Sequence, residues 1–141
     1  MKRKASAEWR GDLKTGKGIV STESGALAGK PYSFTTRFEN EKGTNPEELI
    51  AAAHAGCFTM ALSAELGKAG LVPEALRTSA TVTLDKLDGG WTVTESHLEV
   101  LGNIPGATAD AFRAAAEAAE KGCPISRLLN TKITMDAKLE G

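Results

Sequence analysis

The hydrophobic pattern of this chain switches between the two-residue period of strands and one long stretch that is apolar on almost every helical face. Ala5 to Arg10 and Lys17 to Thr22 read as short strands, and the turn-rich Gly11-Asp12-Leu13-Lys14-Thr15-Gly16 between them predicts a hairpin. After the loop signal Glu23-Ser24-Gly25, Lys30 to Phe38 reads as another strand, with Tyr32, Phe34 and Thr36 on one side and Ser33, Thr35 and Arg37 on the other. Arg77 to Leu87 and Trp91 to Leu101 alternate around Asp88-Gly89-Gly90, a second hairpin. Pro105-Gly106 introduces an amphipathic helix over Thr108 to Lys121, ended by Gly122. Cys123 to Leu129 reads as a short helical turn with Pro124 placed early, and Ile133 to Leu139 as a last strand. Strands, helix, hairpin, helix and strand in that order predict an α+β fold and not a repeating βαβ one.

The central apolar stretch has a well-marked start. Asn45 suits the N-cap, Pro46 the first helical position and Glu48 the acid of a capping box, while Gly67, just past Leu66, is a good stop. Between them, Leu49-Ile50-Ala51-Ala52-Ala53-His54-Ala55-Gly56-Cys57-Phe58 is apolar or small on nearly every face, which predicts a helix inside a core. One small sheet cannot cover so much face. Burial against a second copy is the simplest answer, so an intimate homodimer is expected.

Composition narrows this picture without redirecting it. At 141 residues the chain is expected to form one domain spanning 1–141. Its 17 basic and 18 acidic residues give a net charge of -1, with no bias toward nucleic acid or an anionic membrane. Lys2-Arg3-Lys4 reads as a solvated terminus with no apolar segment behind it, and the central apolar run reads as too short and too interrupted to span a bilayer. A soluble cytoplasmic protein is expected. In a reducing compartment its two cysteines are reactive thiols or inert buried ones, not a permanent staple.

Filling space is the commoner use of a cysteine inside an apolar helix, and Cys57 taken alone says little more. Cys123 lies beside Gly122 and Pro124 at a helix boundary, where a thiol is expected to be more accessible and a backbone N–H can stabilise thiolate. Two thiols so placed fit a peroxidatic and resolving pair, in which a sulfenic acid formed by peroxide condenses with the second thiol. His54 and Cys57 stand three apart on one helical face, with His97 and Cys123 as the remaining candidate ligands. Zinc sites are usually built from two close-spaced pairs, so neither a metal nor another cofactor is expected. Cys57 sits beyond the first helical turn, where the helix dipole does little, so an activated thiol there needs a side-chain cation. Arg37 is the candidate, and Glu47 could hold it in a bidentate pair; a surface arginine and a first-turn acid are their plain alternatives.

The stretch Gly43-Thr44-Asn45-Pro46-Glu47-Glu48-Leu49-Ile50-Ala51-Ala52-Ala53-His54-Ala55-Gly56-Cys57-Phe58, with Gly122-Cys123-Pro124-Ile125-Ser126 later, closely resembles the osmotically inducible protein C / organic hydroperoxide resistance family. Trp9-Arg10-Gly11-Asp12, Gly16-Lys17-Gly18 and Ser21-Thr22-Glu23-Ser24-Gly25 are similar to its OsmC branch and not its Ohr branch. The resemblance implies an intertwined homodimer with antiparallel sheets packed around long central helices. It also implies a thiol-dependent peroxidase that reduces organic hydroperoxides, and hydrogen peroxide less well, without metal or haem. Carried over by motif position, Cys57 is the peroxidatic cysteine, Cys123 the resolving cysteine, Arg37 the thiolate-activating group and Glu47 the carboxylate that positions Arg37. A dithiol recycles the enzyme, usually of the lipoyl type. Glu47 and Cys57 are separated by ten residues, roughly 15 Å along one helix. That spacing directs Arg37 and Glu47 toward Cys57 of the partner subunit. A slow-turnover redox sensor and a module binding a hydrophobic ligand, its cysteines inert, are the alternatives.

Overall fold

The computed structural model describes residues 1–140 and divides the chain, between Leu49 and Ile50, into two compact units. In the first unit, β1 (Ala5–Arg10), β2 (Lys17–Thr22) and β3 (Lys30–Tyr32) form an antiparallel sheet in that order. The first hairpin has the boundaries expected of it. Trp9, Gly18 and Tyr32 stand opposite one another across the three strands, and the Trp9 and Tyr32 rings approach to 5.5 Å over the glycine. A Cβ at Gly18 would lie 2.5 Å from the Tyr32 ring, so only glycine lets the two aromatics close over the strand between them.

The strand expected over Lys30 to Phe38 stops after three residues. Phe34–Phe38 is a short helix, α1, and Arg37 is carried on a helix and not on a strand face. Ser33 explains the switch. Its hydroxyl accepts the Thr36 N–H while its own N–H donates to Thr36 Oγ1 at 2.8 Å, a capping box that ends the strand and starts the helix. Past α1, Thr44 donates from both its N–H and its hydroxyl to the Pro31 carbonyl, tying the loop back to β3.

Helix α2 (Pro46–Lys68) begins at that loop, with Asn45 Oδ1 accepting the Glu48 N–H at 2.8 Å as its cap. It does not end at Gly67: the helix runs through Lys68 and stops at Gly70, whose φ of +74° suits the left-handed terminus. Within the second unit its buried stripe is His54, Phe58, Leu62 and Leu66, each four residues from the last. Its opposite face, Ala52, Ala53, Gly56, Met60 and Ser63, is exposed in the single chain. The expected burial on every face is therefore met on one side only. The helix is also long and apolar enough to cross a bilayer, so length does not exclude a membrane as the sequence suggested.

The second unit is built on β4 (Ala75–Leu87), β5 (Gly90–Asn103) and β6 (Lys132–Leu139), in that order. β4 and β5 are the expected hairpin, joined through Asp88-Gly89. The expectation of purely antiparallel sheets fails at β6, which pairs with β5 in parallel. The reason lies in the connection: α3 (Ala109–Gly122) and α4 (Pro124–Leu128) intervene, and a helical crossover returns the chain in the direction it left. Leu98 and Val100 of β5 meet Phe58, Leu62 and Leu66 of α2 and Phe112, Ala116 and Ala119 of α3 in one core, each large apolar side chain contributing roughly 1.5–3 kcal/mol.

Candidate active site

Cys57 lies in the middle of α2 and Cys123 at the corner between α3 and α4. That corner is tightly fixed, because Cys123 ends one helix and begins the next: its N–H donates to the Ala119 carbonyl at 2.9 Å and its carbonyl accepts the Arg127 N–H at 3.0 Å. Both cysteines are free thiols. Their sulfurs are 2.7 Å apart, with the Cys123 thiol donating toward Cys57. The accessibilities reverse the order expected from sequence, since Cys123 is fully buried and Cys57 half-buried. Cys57 is thus the one open to a small reactant, with Cys123 directly behind it.

Burial pushes the Cys57 thiol above its ordinary value, and the hydrogen bond shared with Cys123 adds to the rise. A backbone hydrogen bond from Ile125, in the first turn of α4, acts the other way. Among the described residues no cation contributes. The site as built in this unit holds two sulfurs in position without the charge that would make either a strong nucleophile at neutral pH.

His54, one turn before Cys57, is fully buried and uses both ring nitrogens. Nδ1 is 2.7 Å from Ser96 Oγ on β5, and Nε2 is 2.8 Å from Ser126 Oγ on α4. Burial holds its pKa below the ordinary value and keeps the ring neutral, with one nitrogen donating to a serine hydroxyl and the other accepting from one. The ring therefore locks α4, with Cys123 at its start, against α2 and β5. With both nitrogens committed it has no lone pair left for a metal, which removes His54 from the ligand set considered with Cys57. Sequence reasoning missed Ser96 and Ser126. The available signal was a serine on the same strand face as Leu98 and Val100, since a hydroxyl on a core face needs a buried partner.

In the first unit, Arg37 grips Glu47 from α1. Its Nη2 donates to Oε1 at 2.7 Å and its Nε lies 3.1 and 3.2 Å from the two carboxylate oxygens. Glu47 is buried, and the Arg37 guanidinium stands 5.2 Å from the centre of the Phe38 ring. Asn45 Nδ2 donates to the Thr36 carbonyl, fastening the start of α2 to α1. With Glu47 taking one edge of the fork, Nη1 keeps its N–H groups for another acceptor. The four residues expected at the site form two pairs, one in each unit.

The family model described as "OsmC-like protein" matches residues 39–138. The chain is 52% identical over 138 residues to "Peroxiredoxin OsmC" of Escherichia coli (strain K12), a match spanning 98% of this chain and 96% of that protein. It is 26% identical to "Organic hydroperoxide resistance protein OhrB" of Bacillus subtilis (strain 168), over 87% and 88% of the two chains. Among solved structures, an OsmC-like protein of unknown function from Vibrio cholerae superposes with a TM-score of 0.78 at 17% identity, covering 97% of this chain and 99% of that one. That likeness extends to the fold, with its two sheets and its helices. By family model and by identity over nearly its whole length, the chain belongs to the OsmC-like proteins.

Proposed function

We propose that this chain is a cysteine-based peroxidase that reduces organic hydroperoxides, and hydrogen peroxide less efficiently. The observation that carries the reading is the 2.7 Å separation of the Cys57 and Cys123 sulfurs, one half-buried and one behind it. The names of the relatives, a peroxiredoxin and an organic hydroperoxide resistance protein, point the same way. Cys57 thiolate attacks the distal oxygen of the hydroperoxide and the O–O bond breaks. The alcohol leaves with a proton, and Cys57 becomes a sulfenic acid. The Cys123 thiol then attacks the Cys57 sulfur, water departs, and a Cys57–Cys123 disulfide forms. A dithiol of the lipoyl type restores both thiols by two exchange steps and leaves as its own disulfide. Sulfur atoms at 2.7 Å need to close only to about 2.05 Å for that bond.

Arg37 supplies the positive charge that the surroundings of Cys57 lack, and Glu47 positions Arg37. The protein acts as a cytoplasmic homodimer, with no nucleic acid or membrane partner. Its exposed α2 face, where Met60 is 78% exposed among alanines and glycine, supports the pairing. In that dimer Arg37 and Glu47 serve Cys57 of the partner subunit.

Peroxide consumption with excess dithiol tests the chemistry. Wild type should turn over many times, Cys57→Ser should consume nothing and Cys123→Ser should stop after about one equivalent. Single turnover by wild type would instead identify a sensor, and no consumption a binding module. Mixing Cys57→Ser and Arg37→Ala chains tests the sharing, since heterodimers keep one intact site. No recovered activity would refute it.

A further inference from the structure

His97 lies on β5 next to Ser96, and consecutive strand residues face opposite ways. Ser96 meets the buried His54, so His97 points to the outward face of the sheet, along with Glu95 and Glu99. The parallel register places Thr134 and Asp136 of β6 opposite His97 and Glu99. His97 Nε2 is 3.3 Å from Asp136 Oδ2 and 3.7 Å from Glu99 Oε1. Among the described residues, His97 is the only basic side chain ion-paired with either carboxylate. Two carboxylates thus face one imidazole, and a third, Glu95, reaches it through Thr134.

The hydrogen bonds orient the ring. Thr134 Oγ1 donates its single proton to the Glu95 carboxylate. At the 2.5 Å contact with His97 Nδ1 it must therefore accept, so Nδ1 carries the hydrogen. Nε2 then faces two carboxylate oxygens, one from each strand. The chain Glu95–Thr134–His97 is also the arrangement that orients metal-binding imidazoles from behind: a donated Nδ1–H backed by a hydrogen-bonded carboxylate.

We propose that His97 Nε2, Glu99 and Asp136 bind one divalent transition-metal ion of the zinc class on the outward face of this sheet. Separations of 3.3 and 3.7 Å match the roughly 3.4 Å edge of a tetrahedron with bonds of about 2.1 Å, and the fourth position opens to water. The three ligand atoms all lie within 4.8 Å of one another, so small side-chain movements complete the shell. The ion clamps the edge strand β6 to β5. It plays no part in the thiol chemistry, since Cys57 and Cys123 pack on the other side of the sheet with Leu98 and Val100.

Zinc titration of the reduced wild-type chain alongside His97→Ala and Asp136→Asn tests the site, because all three chains carry both thiols and only the difference reports on it. Wild type should take up one more equivalent than either variant and should melt at a higher temperature with zinc. Thr134→Val should keep that equivalent but hold it about tenfold more weakly. Asp136 is 79% exposed at its side chain, so its amide variant keeps the test open even if His97→Ala folds poorly. Equal uptake by wild type and both variants would overturn the proposal.

Discussion

In the first unit the functional side chains are charged and matched, Arg37 on a short helix begun by the Ser33 cap against Glu47 in the first turn of α2. In the second unit they are uncharged and set against an apolar core: a half-buried thiol, a buried thiol, one imidazole and two hydroxyls. The first arrangement offers charge without a nucleophile. The second offers nucleophiles in position but with a thiol that burial pushes up, away from thiolate. The difference teaches that position and charge are built separately in this chain, and that the proposed peroxidase needs both. It also separates two failure modes: loss of Arg37 costs rate, and loss of His54 costs stability.

The largest effect expected from breaking this division is in Arg37→Ala. An opposite charge close to a thiolate lowers its pKa by about 1–3 units, so removal should cost about 10–10³-fold in peroxidase rate at pH 7. The sign is fixed: without the cation the thiol pKa rises, less thiolate is present at pH 7, and raising the pH recovers part of the loss. A pH–rate profile checks it. Next is His54→Leu, which strands two buried hydroxyls and should destabilise the fold by about 2–4 kcal/mol in urea unfolding. The same histidine gives a pH dependence. Its folded pKa lies below 6.5, so below about pH 6.5 the unfolded chain takes up a proton that the folded chain refuses. Stability is complete above that pH and declines as pH falls toward the lowered folded value. His54→Leu should flatten that slope.

Glu47→Gln keeps the side chain's shape but loosens the guanidinium, and about a tenfold loss in kcat/KM is expected, with the pH profile displaced less than in Arg37→Ala. The smallest effect belongs to Ser33→Ala, which removes the cap of α1 and should cost about 1 kcal/mol in thermal or denaturant unfolding.

Much of this was legible from the chain. The hairpin of β1 and β2, the cap at Asn45 and the amphipathic α3 were read from local signals, because turn residues and periodicity act over a few residues. Arg37 was misplaced on a strand because the alternation of Tyr32, Phe34 and Thr36 outweighed Ser33 and Thr36, whose spacing already spelled a capping box. The parallel β6 was implicit in a strand, helix, strand succession at the end of the chain. His54 was singled out, but its partners Ser96 and Ser126 lie 42 and 72 residues away, and no local pattern joins them. Likewise, Cys123 looked accessible beside glycine and proline. Its burial is a tertiary consequence of α3 packing on the core.

The central claim is that Cys57 is activated by a charge its own unit lacks, and titrating its thiolate absorbance in wild type and in Arg37→Ala measures this directly. A wild-type pKa below the ordinary thiol range, rising by about 1–3 units in Arg37→Ala, is the predicted result. Identical titrations in the two proteins would contradict it.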